Sequence, residues 1–365
     1  MTHQTARLFF VLSLLAGAAG CADRAQQNPV APALESVRGS SDLDRDDEDR
    51  DDDRPFSLAV IGDIPYGQQK RDSLPLLISL INHDPAVERV IHVGDIKAGK
   101  NSPCTDQYFA DIKSQFDTFE DPLVYTPGDN EWTDCHAFSK NNGLFTPTER
   151  LQAVRNVFFP APGWTLGIHR RPVVTQADDP ANAQYVENVL WTRSNVVFAT
   201  VNITGSNNDG VSWGAPLPAD AGAFPSQATE QATRATANAA WIDRTFALAN
   251  RRNSRAVVLA FQADMWDTSE PSLTGFDALV TQIGTLAARF GRPVLLVMGD
   301  SHVWTLDNPF SATSPLHQVH PDTPVAENVT RLIVEGSDKG RTEYTRLTVD
   351  PESAAPFTLV RVPLQ

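Results

Sequence analysis

Cysteine is scarce in this chain, with three in 365 residues, and no two of them form a Cys-x-x-Cys pair. Nothing in that spacing argues for a thiolate metal site or a dithiol redox motif. Positive charge is in deficit as well: 30 Lys and Arg stand against 45 Asp and Glu, a formal charge of −15. No basic stripe is left to neutralise phosphates, which argues against a nucleic-acid partner. The apolar run Leu8 to Leu15 is too short to cross a bilayer as a helix. No internal repeat at a solenoid or propeller period is visible. One phosphate-binding motif is nearly present. "GDIKAGKN" from Gly94 is one residue short of a Walker A loop, but Asn101 stands where the metal-binding hydroxyl belongs and Pro103 where the helix should be running.

The N-terminal residues predict export. Arg7, the short apolar run and the small residues Ala16 to Gly20 form a signal segment. "LLAGAAGC" resembles a bacterial lipobox, which makes Cys21 the lipidation site and lipid anchor, and the chain a bacterial cell-envelope lipoprotein. In an oxidising compartment Cys104 and Cys135 then read as a disulfide. From Asp42 to Arg54 nine acids and three arginines leave an excess of six negative charges. Such a segment repels itself and buries no apolar area, so it predicts a disordered tether. The expected organisation is a signal peptide at 1–20, a tether at 21–54 and a large domain at 55–365, a length that suits one large domain or two small ones.

Within 55–365, apolar β-rich runs alternate with helical patterns. Strands are expected at "FSLAVIGD", "RVIHVGD", "PLVYTPGD", "AVVLAFQAD" and "PVLLVMGD", with paired strands near Val186–Trp191 and Asn195–Ile203. Helices are expected over Ser73–Asn82, Thr105–Phe119, Pro147–Phe158 and Gln227–Asn250, with another before Pro293 and closing β structure after Val303. Continuous apolar runs separated by helices predict an α/β fold with central strands covered on both faces. Five of these runs end on an acid: Asp63, Asp95, Asp129, Asp264 and Asp300. Ligands of open α/β sheets sit outside the carboxyl ends of the strands. Carboxylates gathered there repel one another, and a divalent metal is their natural counter-charge.

"GDIPYG", "GDIKAG", "GDNEW" and "GDSH" stand in the order of the blocks of the calcineurin-like metallophosphoesterases, which the chain resembles from Phe56 to Trp304. The resemblance implies a four-layer sandwich, two mixed β-sheets flanked by helices, with two metals whose bridging hydroxide attacks phosphorus. It makes Asp63 a first-block ligand, Asp95 the bridging carboxylate, Asp129 the occupant of the amide ligand's place, and His302 the second His of the last block. Asp300 stands where that block's first His would be, Gln262 or Asp264 is nearest to the missing His of the fourth strand, and Asn130 replaces the His that serves the leaving group. His136 is a candidate substitute proton donor, and His92 reads as a core residue. Oxygen ligands in place of imidazole favour Mg, Mn or Ca over Zn, with Fe or Zn as the alternative. Tyr66, Trp132 and Trp304 follow three of the blocks and are candidates for stacking on a leaving group. The expected substrate is a small-molecule, nucleotide or lipid phosphoester. The rival expectation is a surface lipoprotein that keeps the fold as a binding module and has lost turnover.

Overall fold

A computed structural model describes residues 54–136 and 145–364. The signal segment, Cys21 and the tether up to residue 53 lie outside the described residues.

The strands are β1 (Phe56–Ile61), β2 (Val87–His92), β3 (Leu123–Tyr125), β4 (Val174–Thr175), β5 (Val189–Arg193), β6 (Val196–Thr200), β7 (Ala256–Ala260), β8 (Val294–Met298), β9 (Thr305–Asp307), β10 (Val329–Ile333), β11 (Glu343–Val349) and β12 (Phe357–Pro363). The longer helices are α1 (Gly67–Asn82), α2 (Asp106–Phe116), α3 (Pro147–Phe158), α4 (Gln227–Arg251) and α5 (Asp277–Phe290). One sheet runs β12-β11-β1-β2-β3 and the other β4-β5-β6-β7-β8-β10-β9. Both are mixed. β1, β2 and β3 are parallel, as are β6, β7, β8 and β10, while antiparallel strands close the edges.

The period of two along each strand builds three apolar layers. Phe56, Leu58 and Val60 of β1 join Val258 of β7 and Leu295 and Val297 of β8 in a core between the sheets. Ala59 and Ile61 belong instead to the core that also holds Leu77 and Ile81 of α1, Phe109 and Phe116 of α2 and Phe158 of α3. On the other side Val257, Leu259 and Leu296 share a core with Trp241 and Phe246 of α4 and Ile283 of α5. The result is a two-sheet α/β sandwich with helices on its outer faces.

Two helix boundaries differ by three residues or more from the sequence reading. α1 begins at Gly67, six residues before Ser73, because its first turns (GQQKRD) are polar and largely exposed and so carry no apolar period. α2 stops at Phe116, and Phe119 packs into the same core from the loop beyond it.

Candidate metal centre

The loops that leave β1, β2 and β8 turn sharply. Asp63, Asp95, Asp300 and His302 all have left-handed backbone, at φ of 52°, 58°, 71° and 65°. Each such residue costs about 1 kcal/mol or more, and this kind of strain collects at functional sites. The loops then lock into one another. Asp300 N–H donates to Asp63 Oδ1 at 3.0 Å, Asp264 N–H to Asp300 Oδ2 at 3.1 Å, and Asn130 N–H to Asp95 Oδ1 at 3.2 Å.

Two ligand groups result, and Asp95 belongs to both. Ligand atoms of Asp63, Asp95 and His302 lie within 4.8 Å of one another, and so do those of Asp95, Asp129 and Asp300. These groups could hold a metal ion. Burial and the neighbouring carboxylates, Asp129 foremost, hold Asp95 and Asp300 well above the usual carboxylate range. Burial pulls the His302 imidazole down, but Asp63 and Asp338 outweigh it and raise the group to about 9. His302 Nδ1 lies 3.0 Å from Asp338 and Nε2 3.4 Å from Asp63.

The donor set suits a hard divalent cation: four carboxylates and one imidazole, with Asp63 Oδ2 buried and without a hydrogen-bond partner. Gly205 adds a cradle, because a Cβ there would meet Asp129 Oδ2 at 2.7 Å and Asp300 Oδ1 at 3.0 Å. Gly205 opens an uncommon element. Ser206, Asn207, Asn208 and Asp209 form a left-handed turn, with φ of 53°, 55°, 57° and 61°. Asn and Asp tolerate that conformation better than other residues with a side chain. The turn presents Ser206 Oγ to Asp129 Oδ2 at 2.8 Å.

Asn130 donates its amide to Asp95 Oδ2 at 2.7 Å and to the Tyr66 hydroxyl at 2.9 Å. Gln262 points its amide at Asp95 Oδ2 and Asp129 Oδ1, at 3.3 and 3.4 Å. Behind this layer, Glu131 is fully buried and gathers three donors on Oε1: Asp95 N–H, Gly128 N–H and the Tyr125 hydroxyl. Lys97 is buried among acids, and burial lowers its ammonium to about 8 despite Glu131, Asp134 and Asp95 nearby. Its Nζ donates to the Asn130 carbonyl at 2.9 Å. Cys104 and Cys135 form the disulfide read from the sequence, and both sulfurs approach that same carbonyl, at 3.8 and 3.7 Å.

Of the predicted metal residues, the structure brings together Asp63, Asp95, Asp129, Asp300 and His302. Asp264 falls outside both groups. Its carboxylate pairs with Arg331 at 2.6 Å, and a carboxylate neutralised by a buried guanidinium is not free for a cation. His136 turns Nδ1 to the Thr133 carbonyl of its own short helix at 2.6 Å. His92 is a core residue, bonded on both nitrogens to Ile64 O and Gly94 N–H. Trp132 is wholly buried with Arg234 over its ring, and so cannot stack on a substrate. Trp304 donates Nε1 to Thr345, with Arg361 over its ring. Tyr66 does reach the centre, through its hydroxyl. The sequence alone does not single out Ser206, Lys97 or Asp338. The Gly-Ser-Asn-Asn-Asp run of small polar residues was the one local signal for the turn.

No family model matches the chain, and no curated protein matches it. Among solved structures it is similar to "GAP50 the anchor in the inner membrane complex of Plasmodium", with 8% sequence identity and a TM-score of 0.41 over 85% of this chain and 89% of that one.

Proposed function

We propose that this chain is an exported, metal-dependent phosphoric ester hydrolase of the calcineurin-like type, anchored to the cell envelope through Cys21. The observation that carries this reading is the sharing of Asp95 between two ligand groups at the ends of parallel strands from two sheets. A divalent cation held there would lower the pKa of a bound water and neutralise charge on the phosphoryl oxygens. Asp63, Asp95, Asp129, Asp300 and His302 would hold it. Asn130 fixes the orientation of Asp95 through its side-chain amide and backbone N–H. Its amide can also donate a hydrogen bond to a substrate oxygen, but it cannot supply a proton. Aryl phosphoesters, whose leaving groups need little protonation, are therefore favoured over alkyl ones.

The same absence of a titratable group at Asn130 favours a second reading, a binding module on the phosphoesterase scaffold. One preparation separates the two. Bound metal is measured by mass spectrometry, and mono- and diester hydrolysis is assayed with Mg, Mn, Ca and Zn, beside Asp95→Asn. Metal-dependent turnover that Asp95→Asn abolishes supports the enzyme. Bound metal without turnover leaves the binding module, and turnover indifferent to Asp95→Asn removes the site assignment.

A further inference from the structure

The left-handed turn beside the centre is braced from several sides. Gly205 N–H donates to Gln262 Oε1 at 2.5 Å, and the other end of that amide faces Asp95 and Asp129. Asn207 Oδ1 accepts the Gly275 N–H at 2.8 Å, Asn208 Oδ1 accepts from Arg234, and Asp209 Oδ1 accepts the Trp213 indole N–H at 2.8 Å. Asn and Asp suit left-handed backbone, and serine suits it less. Ser206, at φ 53° and ψ 43°, is therefore the costly member of the run. Strain of this kind persists only where neighbours impose it, and it gathers at functional sites.

Of the turn's four side chains, that of Ser206 is the one bonded to a ligand carboxylate. Its Oγ lies 2.8 Å from Asp129 Oδ2 and 3.2 Å from Oδ1 of buried Asp134. A hydroxyl has one hydrogen, so these two acceptors share it, and no donor among the described residues occupies the oxygen's lone pairs. Ser206 is only partly buried, which leaves it open to a substrate. A serine hydroxyl within hydrogen-bond reach of a carboxylate base has the arrangement of an activated nucleophile.

Resting on the hydrolase reading above, we propose that Ser206 is the nucleophile and that hydrolysis passes through a phosphoserine at this position. In the first displacement Oγ bonds to phosphorus and the bond from phosphorus to the ester oxygen breaks. The aryl oxide leaves with its electron pair, and the hydroxyl proton goes to Asp134 Oδ1. Asp134 belongs to neither ligand group, which suits it to that part. In the second displacement a water oxygen attacks the same phosphorus and the bond to Oγ breaks. Asp134 returns its proton to Oγ, one water proton passes to solvent, and inorganic phosphate leaves. An aryl oxide departs without a proton from the protein, in keeping with Asn130, whose amide donates a hydrogen bond and no proton.

Two measurements test this on the full chain loaded with Mn2+. In one, the protein is quenched in acid during turnover of para-nitrophenyl phosphate and mapped by peptide mass spectrometry. In the other, an aryl phosphorothioate made chiral at phosphorus with one oxygen isotope is hydrolysed in water carrying another. Two displacements retain configuration, and a single one inverts it. The wild type should carry a phosphoryl group on Ser206 and give retention. Ser206→Gly should lose at least roughly 100-fold in turnover and carry no phosphoryl group. It should also fold as well as the wild type, because glycine takes left-handed backbone without strain. Where the phosphoserine breaks down too quickly to be trapped, the stereochemistry decides. Inversion, or turnover in Ser206→Gly close to that of the wild type, would overturn the Ser206 assignment and leave the metal-dependent hydrolase standing. Neither turnover nor phosphoserine in the loaded wild type would remove the hydrolase reading and this one with it.

Discussion

Asn130 gathers the chemistry of this chain into one side chain. Its amide holds Asp95, its backbone carbonyl takes Lys97, and the disulfide lies against that carbonyl. Asn130→Ala removes the hydrogen bond that orients Asp95, and Mn2+ affinity measured by calorimetry should fall by roughly 10- to 100-fold, the usual cost of losing a partner of a metal ligand. His92 sets a pH dependence of its own. Burial lowers it to about 4 from the ordinary 6.5. The unfolded chain therefore takes up a proton between about 6.5 and about 4 that the folded chain refuses, so stability falls as pH falls through that window. The contribution is on the order of 3 kcal/mol. Buried Asp95 and Asp300, whose folded forms favour the proton, push the other way, so the check is a difference: urea unfolding of wild type minus His92→Gln should show this slope. The Gly-Asp pairs were legible in the sequence because turn chemistry is local. In the sequence Tyr66 reads as a stacking ring, because its hydroxyl's partners come from positions 95, 130 and 302, which only the fold brings together.

The left-handed turn from Gly205 to Asp209 is the least ordinary element, and a buried arginine holds it. Arg234, on α4, donates to Glu230 Oε1 at 2.8 Å, to the Asn208 side chain and carbonyl, and to the Asn202 carbonyl. Glu230 and Asn208 are themselves buried. Arg234→Ala leaves a buried carboxylate without its guanidinium and should cost about 3–5 kcal/mol in chemical unfolding. Because the turn carries Ser206 and Gly205 to the centre, the variant's Mn2+ affinity should fall even under conditions where it remains folded. The disulfide acts on neighbouring loops. Closing a 31-residue span should contribute roughly 3–4 kcal/mol, and Cys104→Ser/Cys135→Ser should lose it in the same assay. Strands and most helices were readable from apolar period. This turn was not, since a run of small polar residues reads as loop until Arg234, 28 residues after Ser206, fixes its hand.

Across the whole molecule, the two sheets differ in how much of their order the chain reveals. β1-α1-β2-α2-β3 follows sequence, and alternating apolar runs and helices announced it. The tail from Val303 read only as closing β structure. It proves to serve both sheets, β9 and β10 finishing one and β11 and β12 the other. Strand pairing across that distance depends on which buried faces meet, and local pattern does not encode that. The consequence for function is that Asp63, Asp95 and Asp129 come from the five-stranded sheet, and Asp300 and His302 from the seven-stranded one, so the centre exists only when both sheets are docked. The most direct measurement of the central claim is the rate of aryl phosphoester hydrolysis before chelation, after it, and after Mn2+ is restored, for wild type and Asp95→Asn. The account predicts turnover that chelation removes and Mn2+ restores, with at least roughly a 100-fold loss in Asp95→Asn. Turnover that survives chelation, or that Asp95→Asn leaves unchanged, would contradict it.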